Sequence, residues 1–432
     1  MDRESSAPTS KVASKEPVAW YPKYLLTLLV VVYAVNFIDR QILSILLESI
    51  RLDLNLNDTQ LGFLTGFSFA FFYATLGIPI ARIADRNSRG AVIAISVGLW
   101  SFMTAMCGFA QNFVQLLFAR IGVAVGEAGG SPPAHSLISD YFPEGKRASA
   151  LAIYATGTPI GILIGLMLGG WLNDAMGWRT AFFVVGAPGL LLAAVVWFTA
   201  KETASRDIAK QRASQVSVLE VFKYLKEVKS FRYLVIASSL HAFAAYGILQ
   251  WTPTFLIRTH GMSTTELGLY LGLIIGITGV AGVLAGGYLA DHLSGRDKRW
   301  YVWLPGLAMI ISVPFYLGIY IAPTPRIALL FYIVPNFLAN SFMGPAFATV
   351  QSLSLLHMRA VAAAVFLFVV NIVGLGLGPQ AVGILSDLLR PAFAHDSLRW
   401  ALCCVVFFKA FAAYFYWVSS KSLRENLKTV PR

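Results

Sequence analysis

Long apolar stretches recur along the chain and are separated by short segments that carry most of the charged residues. A membrane hydrocarbon core about 30 Å thick requires roughly 20 apolar residues per helix. The pattern therefore predicts twelve transmembrane helices, over about residues 24–46, 60–81, 91–110, 114–138, 148–171, 180–200, 232–257, 266–290, 301–321, 326–350, 359–386 and 398–420.

The longest polar stretch between these spans follows the sixth one and divides the chain into two groups of six. We therefore predict an all-α membrane protein with two pseudo-symmetric six-helix halves. The expected regions are a cytoplasmic tail, an N-terminal bundle, a cytoplasmic linker, a C-terminal bundle and a second cytoplasmic tail, over residues 1–22, 23–200, 201–230, 231–420 and 421–432. The first 20 residues are polar, so we expect no cleavable signal peptide.

Composition agrees with a membrane protein and excludes several other classes. The chain is 57% hydrophobic and 13% charged, whereas soluble domains carry about 25% charged residues. Its cysteines, Cys107, Cys403 and Cys404, have no metal-binding or disulfide spacing, so we predict no metal and no cofactor. Because the sequence has no phosphate-binding loop and no metal-spaced cluster, we expect neither an ATP-driven pump nor an enzyme.

The net charge of +12 is distributed unevenly between the two sides of the predicted bundle. If the N-terminus is cytoplasmic, 24 of the 34 Lys and Arg residues lie on that side and six lie on the other. This asymmetry is the one that orients membrane proteins, so it places both termini in the cytoplasm. We therefore expect a multi-pass protein of the plasma (inner) membrane that contacts lipid, acts as a monomer and does not bind nucleic acid.

Four ionisable residues fall within predicted spans. Asp39 and Arg40 lie in the first span, and Arg120 and Glu127 in the fourth. A charge at the bilayer centre costs about 2.5–3.5 kcal/mol on insertion scales, so such residues usually face a protein interior or a wet cavity. Helical rise places Asp39 and Arg120 at matching depth, where they can pair. Glu127 lies deeper, and either reaches Arg40 or stands alone.

A carboxylate that is paired in one conformation and isolated in another must exchange a proton as the protein moves. Asp39, Glu127 and Arg120 are therefore our candidates for proton coupling; the alternative is a fixed buried pair that orients two helices. Arg40 can hold a substrate anion with two hydrogen bonds. Asn36 lies on the same helical face as Arg40, so we add Asn36 and Glu127 to the candidate substrate site.

The C-terminal half has no buried carboxylate in a comparable setting. At the repeat offset Tyr246 stands where Arg40 stands, and the other polar candidates for the substrate site are Gln250, Trp251, Asn336 and Asn340. Lys409 is the one deep charge of this half, and we expect it to snorkel from a peripheral helix. A charged half facing an aromatic half suits an amphiphilic substrate; alternatively, the aromatic residues face lipid.

The two halves repeat short motifs. PIARIADRNSRG follows the second span and GGYLADHLSGRDKR the eighth, which aligns Asp85 with Asp291 at an offset of 206 residues. Near the ends of the fifth and eleventh spans, GGWLNDAMGWR and GILSDLL align Asp174 with Asp387. Internal repeats of this kind build transporter folds. Glycines at every fourth position from 157 to 169 predict close helix packing.

Twelve spans and the duplicated G-x-x-x-D-R/K-x-x-R/K motif resemble the major facilitator superfamily, over about residues 20–420. The first copy has Ala81 at its leading glycine position, whereas Gly287 is intact in the second. NFIDRQIL in the first span and GVAVGEAGGSPPAHSLISDYFP in the fourth resemble the spinster-like branch, whose members include lysolipid and sphingolipid transporters.

The resemblance implies that Asp85, with Arg86 and Arg89 on a cytoplasmic loop, closes a gate against the eleventh span near Arg359. It implies the same of Asp291 against the fifth span; the alternative is a set of solvated turn charges. We predict an alternating-access secondary transporter, coupled to protons, with a lysolipid-like or sphingoid substrate. The alternative is a carrier of a small organic anion, such as a sugar acid, held by Arg40 and Arg120.

Overall fold

The computed structural model describes residues 20–202, 218–355 and 358–429. The helices of the N-terminal half are α1 (Tyr21–Leu54), α2 (Asp58–Thr65), α3 (Phe67–Arg86), α4 (Arg89–Cys107), α5 (Phe113–Glu127), α6 (Ser131–Tyr141), α7 (Glu144–Ala155) and α8 (Gly157–Thr199). Those of the C-terminal half are α9 (Val218–Glu227), α10 (Lys229–His260), α11 (Thr264–Ser294), α12 (Trp300–Ile321), α13 (Pro325–Asn340), α14 (Met343–Ser352), α15 (Arg359–Asn371), α16 (Gly378–Phe393) and α17 (Ser397–Thr429). A π-helical turn, Ile372–Leu377, joins α15 to α16.

Ten helical stretches of the described chain are long and apolar enough to cross a membrane. Two of them, Ser149–Thr199 and Val361–Lys428, contain 51 and 68 residues. At a rise of 1.5 Å per residue the shorter one measures about 76 Å, more than twice the hydrocarbon thickness. Each of these two stretches therefore accommodates two crossings, which is consistent with the predicted count of twelve.

The first long stretch reverses direction at Gly177, whose φ of 82° and ψ of 161° are not helical. Gly157, before the reversal, packs on α1 at Val30, and Thr199, at the end of α8, accepts a hydrogen bond from Tyr21 near the start of α1. Both ends of α8 thus lie beside the same end of α1. Glycine tolerates the positive φ because it has no Cβ.

The second long stretch reverses at Ala394, which has a φ of 45°. Before it, the chain runs parallel to α10, because Gly374 packs on Ala242 and Gly378 on Phe243 and Gly247. After it, α17 runs antiparallel to α10, since Tyr416 hydrogen-bonds Ser238 and Asn426 accepts hydrogen bonds from Ser230. The eleventh and twelfth predicted spans are therefore two crossings.

Several crossings are interrupted rather than continuous. The second is divided at Gly66, the fourth at Ala128–Gly130 and the tenth at Ser341–Phe342, while the eleventh contains the π-helical turn. Irregular backbone at membrane depth is tolerated where it is buried in protein or lines a wet space. At these breaks the direction in which the interior side chains point can change.

Close packing through the predicted glycine series is confirmed. A Cβ on Gly157 would lie 2.9 Å from the carbonyl oxygen of Val30, and one on Gly165 would lie 3.1 Å from the Cα of Ile38. The fifth crossing therefore touches α1 through backbone atoms, as small residues at a spacing of four allow.

The two halves join at one end of the bundle only. We name the end that contains Tyr21, Thr199 and Arg424 the terminal end, and the end that contains Asn55, Gly261 and Ala394 the opposite end. The largest buried apolar cluster includes residues of both halves, such as Ile45 and Phe255, and lies toward the opposite end. Toward the terminal end lie two further clusters, one built mostly from the N-terminal half with Leu375 of the C-terminal half, and one built from the C-terminal half. In the described ranges, every hydrogen bond between halves lies at the opposite end.

Candidate functional site

The four predicted intramembrane charges converge in the N-terminal half. Asp39 and Arg40 are neighbours on α1, and α5 presents Arg120 and Glu127 two turns apart. Asp39 is 0% exposed, Glu127 2% and Arg120 3%, whereas the side chain of Arg40 is 16% exposed. Glu127 is the last residue of α5, so it lies at the break in the fourth crossing. We name these four residues the charged cluster.

Arg40 and Glu127 form an ion pair through Nε and Oε2. Of the two possibilities left open for Glu127, the contact with Arg40 is therefore confirmed. Asn36 lies beside Glu127, one helical turn before Arg40. The Arg40 guanidinium carbon also lies 4.6 Å from the ring centre of Tyr73, within the range of cation–π attraction. Arg40 thus joins a carboxylate to an aromatic surface.

The expected pairing of Asp39 with Arg120 is wrong for this conformation. Neither carboxylate oxygen of Asp39 has a hydrogen-bond partner, and neither do Nε and Nη1 of Arg120. The Arg120 guanidinium instead lies 5.3 Å from the ring centre of Phe69, and that of Arg40 lies 5.1 Å from the same ring. Matching depth brought the charges near each other, but Phe69 on α3 takes the position against Arg120.

The surroundings of Asp39 are buried and polar but unpaired. Thr104 and Trp100 of α4 lie beside its carboxyl group, yet the Thr104 hydroxyl and the indole nitrogen of Trp100 make no hydrogen bond. A buried polar group without a partner costs about 1–3 kcal/mol, more when charged. The charged cluster is therefore a place where a proton, a water molecule or a polar substrate group is strongly stabilising.

In the C-terminal half, Tyr246 approaches the charged cluster. It packs against the apolar cluster of the N-terminal half and interacts electrostatically with Arg40, Tyr33 and Tyr73. The repeat offset had paired Tyr246 with Arg40 by symmetry, and the fold brings the two side chains near each other. Gln250, one turn further along α10, is buried, and its Oε1 has no partner.

Three other predicted substrate residues pack helices together. Trp251 is 0% exposed and its indole N–H donates to the Pro379 carbonyl at 2.9 Å, so in this conformation it joins α10 to α16. Asn336 donates to the Thr278 hydroxyl at 2.7 Å, across to α11, and Asn340 donates to the Asn336 carbonyl at 2.8 Å. Polar residues of this kind hold membrane helices together.

The expectation that Lys409 snorkels toward an interface is wrong. Lys409 is 0% exposed, and its Nζ lies 3.3 Å from Nδ1 of His241 on α10. The twelfth crossing turns this residue inward because α17 packs lengthwise on α10 and α12.

The predicted gate residues occupy helices rather than a loop. Asp85 and Arg86 end α3 and Arg89 begins α4; the Asp85 side chain lies outside the described part of the structure. Arg89 is buried and pairs with Asp140 at 2.7 Å and with Glu202, just after the sixth crossing, at 2.8 Å.

The second copy of the motif also differs from the expectation. Asp291 lies within α11 and accepts a hydrogen bond at 2.9 Å from the hydroxyl of Tyr301 on α12, rather than from the fifth crossing. Arg89 of the first copy and Asp291 of the second are thus engaged near their own halves at the terminal end. This agrees with halves that are separated there.

The opposite end carries an ion-pair network that the sequence reading missed. Arg258, near the end of α10, donates to both oxygens of Asp58 at 2.9 and 2.8 Å and to Glu48 of α1 at 2.5 Å. Asp58, which is 0% exposed, also accepts from Ser386 at 2.7 Å and Arg390 at 3.3 Å. Each of these residues lies near a helix end, where a charge is unremarkable, so no local signal marks them.

Asp174 and Asp387, aligned by the internal repeat, make matching contacts between the halves. Asp387 at the end of α16 accepts from the backbone and the hydroxyl of Thr59 at 2.7 Å each, at the start of α2. Asp174 in α8 accepts from the Thr264 hydroxyl at 2.6 Å and the Thr265 backbone at 2.7 Å, at the start of α11. Each carboxylate stabilises the positive N-terminal end of a helix in the other half.

Comparison with known proteins agrees with this architecture. The sequence profile of the Major Facilitator Superfamily matches residues 29–379. An MFS-type efflux pump of Mycolicibacterium smegmatis is 35% identical over 400 residues, covering 92% of each chain. The probable galactarate/D-glucarate transporter GudP of Bacillus subtilis is 28% identical over 341 residues, covering 72% of this chain and 73% of its own.

Solved structures of transporters also superpose on this chain. A bacterial homolog of the human lysosomal transporter Spinster, crystallised in an inward-facing and unoccupied conformation, superposes with a TM-score of 0.85 at 29% identity, covering 95% of this chain and 99% of that one. Its inward-facing, occupied form superposes with a TM-score of 0.83. Both of these solved forms are inward-facing.

Proposed function

Because the chain belongs to the Major Facilitator Superfamily, we propose that it carries an amphiphilic, lipid-like substrate of the lysolipid or sphingoid type and couples this movement to protons. As a family member it is a multi-pass membrane transporter and not an enzyme. The charged cluster carries the proposal, since it combines two buried carboxylates with one partly exposed arginine.

Proton coupling follows from competition for Arg40. In this conformation Glu127 is the partner of Arg40, while Asp39 has none. A substrate oxyanion that binds Arg40 displaces Glu127, and a buried carboxylate without a partner is costly unless it takes up a proton. Substrate and proton therefore bind together, and Arg40 returns to Glu127 when both leave.

The aromatic side chains around Arg40 favour an amphiphile. Phe37, Phe69 and Tyr73 contact its guanidinium, and Tyr246 approaches from the other half. This surface accommodates hydrocarbon next to a cation that binds a head group. The similarity to a bacterial homolog of the lysosomal transporter Spinster supports the resemblance to the spinster-like branch, from which we infer this substrate class.

The pH response tests the coupling. Spin labels on Lys146 and Arg296, both exposed at the terminal end of different halves, report the separation of the halves. We expect acid pH to shift the distance distribution of the parent, and the double variant Asp39→Asn with Glu127→Gln to lose most of that shift. An unchanged response in the double variant would contradict proton coupling at this site.

A chain-length series tests the substrate. We expect affinity to rise by up to about 0.8 kcal/mol for each CH₂ that is fully buried, until the available space is filled. Arg40→Ala should weaken the binding of phosphate-bearing amphiphiles more than that of neutral ones, because only the phosphate-bearing ones offer an oxyanion to a guanidinium.

Arg179→Ala is the matched control for this series. Arg179 also combines an ion pair with an aromatic contact, but it lies at the opposite end, beside Asp53 and Trp178. It should leave both affinity series unchanged. A flat dependence on chain length would refute the lipid assignment.

The second candidate substrate is a small organic anion such as a sugar acid, bound by Arg40 and Arg120. The similarity to a probable galactarate/D-glucarate transporter favours it. A thermal-shift screen of the purified protein separates the two, because a ligand that binds the folded state stabilises it by mass action. Stabilisation by D-glucarate without stabilisation by lysolipids or sphingoid phosphates would select the sugar-acid carrier.

We further propose that the protein functions as a monomer in the plasma membrane with its terminal end in the cytoplasm. The Lys and Arg asymmetry between the two sides supports this orientation. In intact cells, a cysteine at Arg296 should then resist membrane-impermeant reagents, whereas one at Leu52 should react.

A further inference from the structure

Lys409 and His241 form a buried contact that the charged cluster does not use. They are 0% and 1% exposed, and the Lys409 ammonium nitrogen lies 3.3 Å from Nδ1 of the imidazole. Lys409 comes from the middle of α17 and His241 from α10, so both belong to the C-terminal half. Two basic side chains therefore meet within the bundle.

No carboxylate of the described residues contacts this pair. From α12, Tyr316 presents its ring to Lys409 with the centroid 5.0 Å from Nζ, and Tyr332 of α13 lies behind that ring. The one acid of α16 is Asp387, which is engaged at the opposite end. On α17 the two tyrosines that follow Lys409 are Tyr414, which is exposed, and Tyr416, which is buried and bonds Ser238. A positive charge on Lys409 is therefore balanced by no negative side chain.

The hydrogen bonds of the imidazole determine how many protons the pair holds. The His241 imidazole also forms a hydrogen bond with the backbone of Ala339, whose carbonyl accepts only from an N–H, and Nδ1 is the nitrogen that faces Lys409. With that proton on Nε2, Nδ1 is the acceptor and Lys409 the donor. Protonating Nδ1 as well would place two positive charges in contact without a counter-ion, which is strongly unfavourable in a low-dielectric interior.

The backbone explains how one charge is tolerated there. Ala339 belongs to the last turn of α13, where the tenth crossing breaks, and Phe342 of the break packs its ring 4.3 Å from that of His241. The last carbonyl groups of a helix carry partial negative charge and lack helical partners. The negative C-terminal end of α13 therefore stabilises the N–H group of His241, and the imidazole in turn stabilises the positive charge of Lys409.

We propose that Lys409 and His241 form a second proton-binding site, separate from the charged cluster, which holds one ionisable proton. On release, an N–H bond of the Lys409 ammonium breaks, the proton passes to water, and the electron pair stays on Nζ while His241 remains neutral. The proposal does not rest on proton coupling through Asp39 and Glu127, because it concerns other residues in the other half.

NMR of the full-length protein with ¹³C at the lysine Cε positions tests this site directly. The Lys409 resonance is assigned by its loss in Lys409→Arg, and Lys421→Arg, at an exposed position of the same helix, is the matched control. We expect the Lys409 signal to titrate in the pH range where the protein stays folded. Because the neutral imidazole accepts a hydrogen bond from the Lys409 ammonium and thereby stabilises its charged form, His241→Gln should move this midpoint by about one pH unit or more. A signal that does not titrate, or a midpoint unchanged in His241→Gln, overturns the proposal.

Proton counting provides a second test that does not require assignment. After a pH jump across the midpoint, Lys409→Met and Lys409→Arg should each release one proton fewer than the parent, since methionine has no titrating group and arginine stays charged. The same deficit should appear in the background of Asp39→Asn with Glu127→Gln. Equal proton release by the parent and both variants would show that the lysine does not exchange its proton.

Discussion

The most direct test of how the two halves are held together is Asp58→Asn at the opposite end. The aspartate is buried and accepts two hydrogen bonds from Arg258, at 2.9 and 2.8 Å, and one each from Ser386 and Arg390. Asparagine has nearly the same shape but no charge. The substitution therefore removes the electrostatic part of the contact between the halves and keeps the packing.

The expected magnitude follows from the hydrogen bonds that lose their charged acceptor. A hydrogen bond to a charged group contributes about 1.5–3 kcal/mol and a neutral one about 0.5–1.5 kcal/mol. Three guanidinium N–H groups donate to Asp58, and part of the loss is offset because asparagine is cheaper to bury. We estimate a net change of about 2 kcal/mol, which corresponds to about 30-fold in the ratio of the two conformations.

Spin labels at Leu52 and His395 measure this ratio. Both positions are exposed at the opposite end, in different halves, and a Cys404→Ser background removes the exposed native thiol. In Asp58→Asn we expect a longer distance to appear at the expense of the short one, because the network exists only when this end is closed.

Asp53→Asn is the matched control. Asp53 also lies at the opposite end and pairs with an arginine, Arg179, but both residues belong to the N-terminal half. It should leave the distance distribution unchanged. If Asp58→Asn leaves it unchanged as well, the ion-pair network does not hold the halves together and the reasoning is refuted.

Two further substitutions test packing and charge. Gly268→Ala should weaken closure of the opposite end by about 1–3 kcal/mol, as overpacking does, because a Cβ there would clash with the backbone carbonyl of Leu166 in the other half. Gly77→Ala, where a Cβ meets nothing within 4 Å, is the control, and equal spin-label distances in both variants would contradict the packing argument. At the terminal end, Arg299 beside Asp297 holds the pKa of that carboxyl well below its usual range, with help from Arg424. The stabilisation is therefore present at neutral pH and is lost progressively as pH falls from about 4 toward the lowered pKa of the folded state, so Asp297→Asn should lower the thermal midpoint more at pH 7 than at about pH 3. An equal difference at both pH values would contradict this assignment.

The sequence by itself determined the membrane class, the division into two halves and the positions of the crossings. The length of a crossing depends on a run of consecutive apolar residues, and such a run can be counted directly in the sequence. Helical rise also determined that Asp39 and Arg120 lie at similar depth, and a glycine spacing of four determined which face of the fifth crossing packs closely.

Only the tertiary structure decided which charges meet. Depth is one coordinate, whereas pairing also needs the rotation of each helix about its axis and the neighbours on every side. Phe69 comes from a third helix and takes the place against Arg120 that Asp39 was expected to fill. Lys409 faces His241 because α17 packs lengthwise on α10.

The opposite-end network depends even more on the assembled fold. Glu48, Asp58 and Arg258 each stand near the end of a different helix, and about 200 residues of chain separate Arg258 from Glu48 and Asp58. The internal repeat had already aligned Asp174 with Asp387, because both halves use the same backbone plan. How the two halves dock decides that each of these carboxylates reaches the start of a helix in the other half. The positive N-terminal end of a helix attracts whichever carboxylate the fold brings to it.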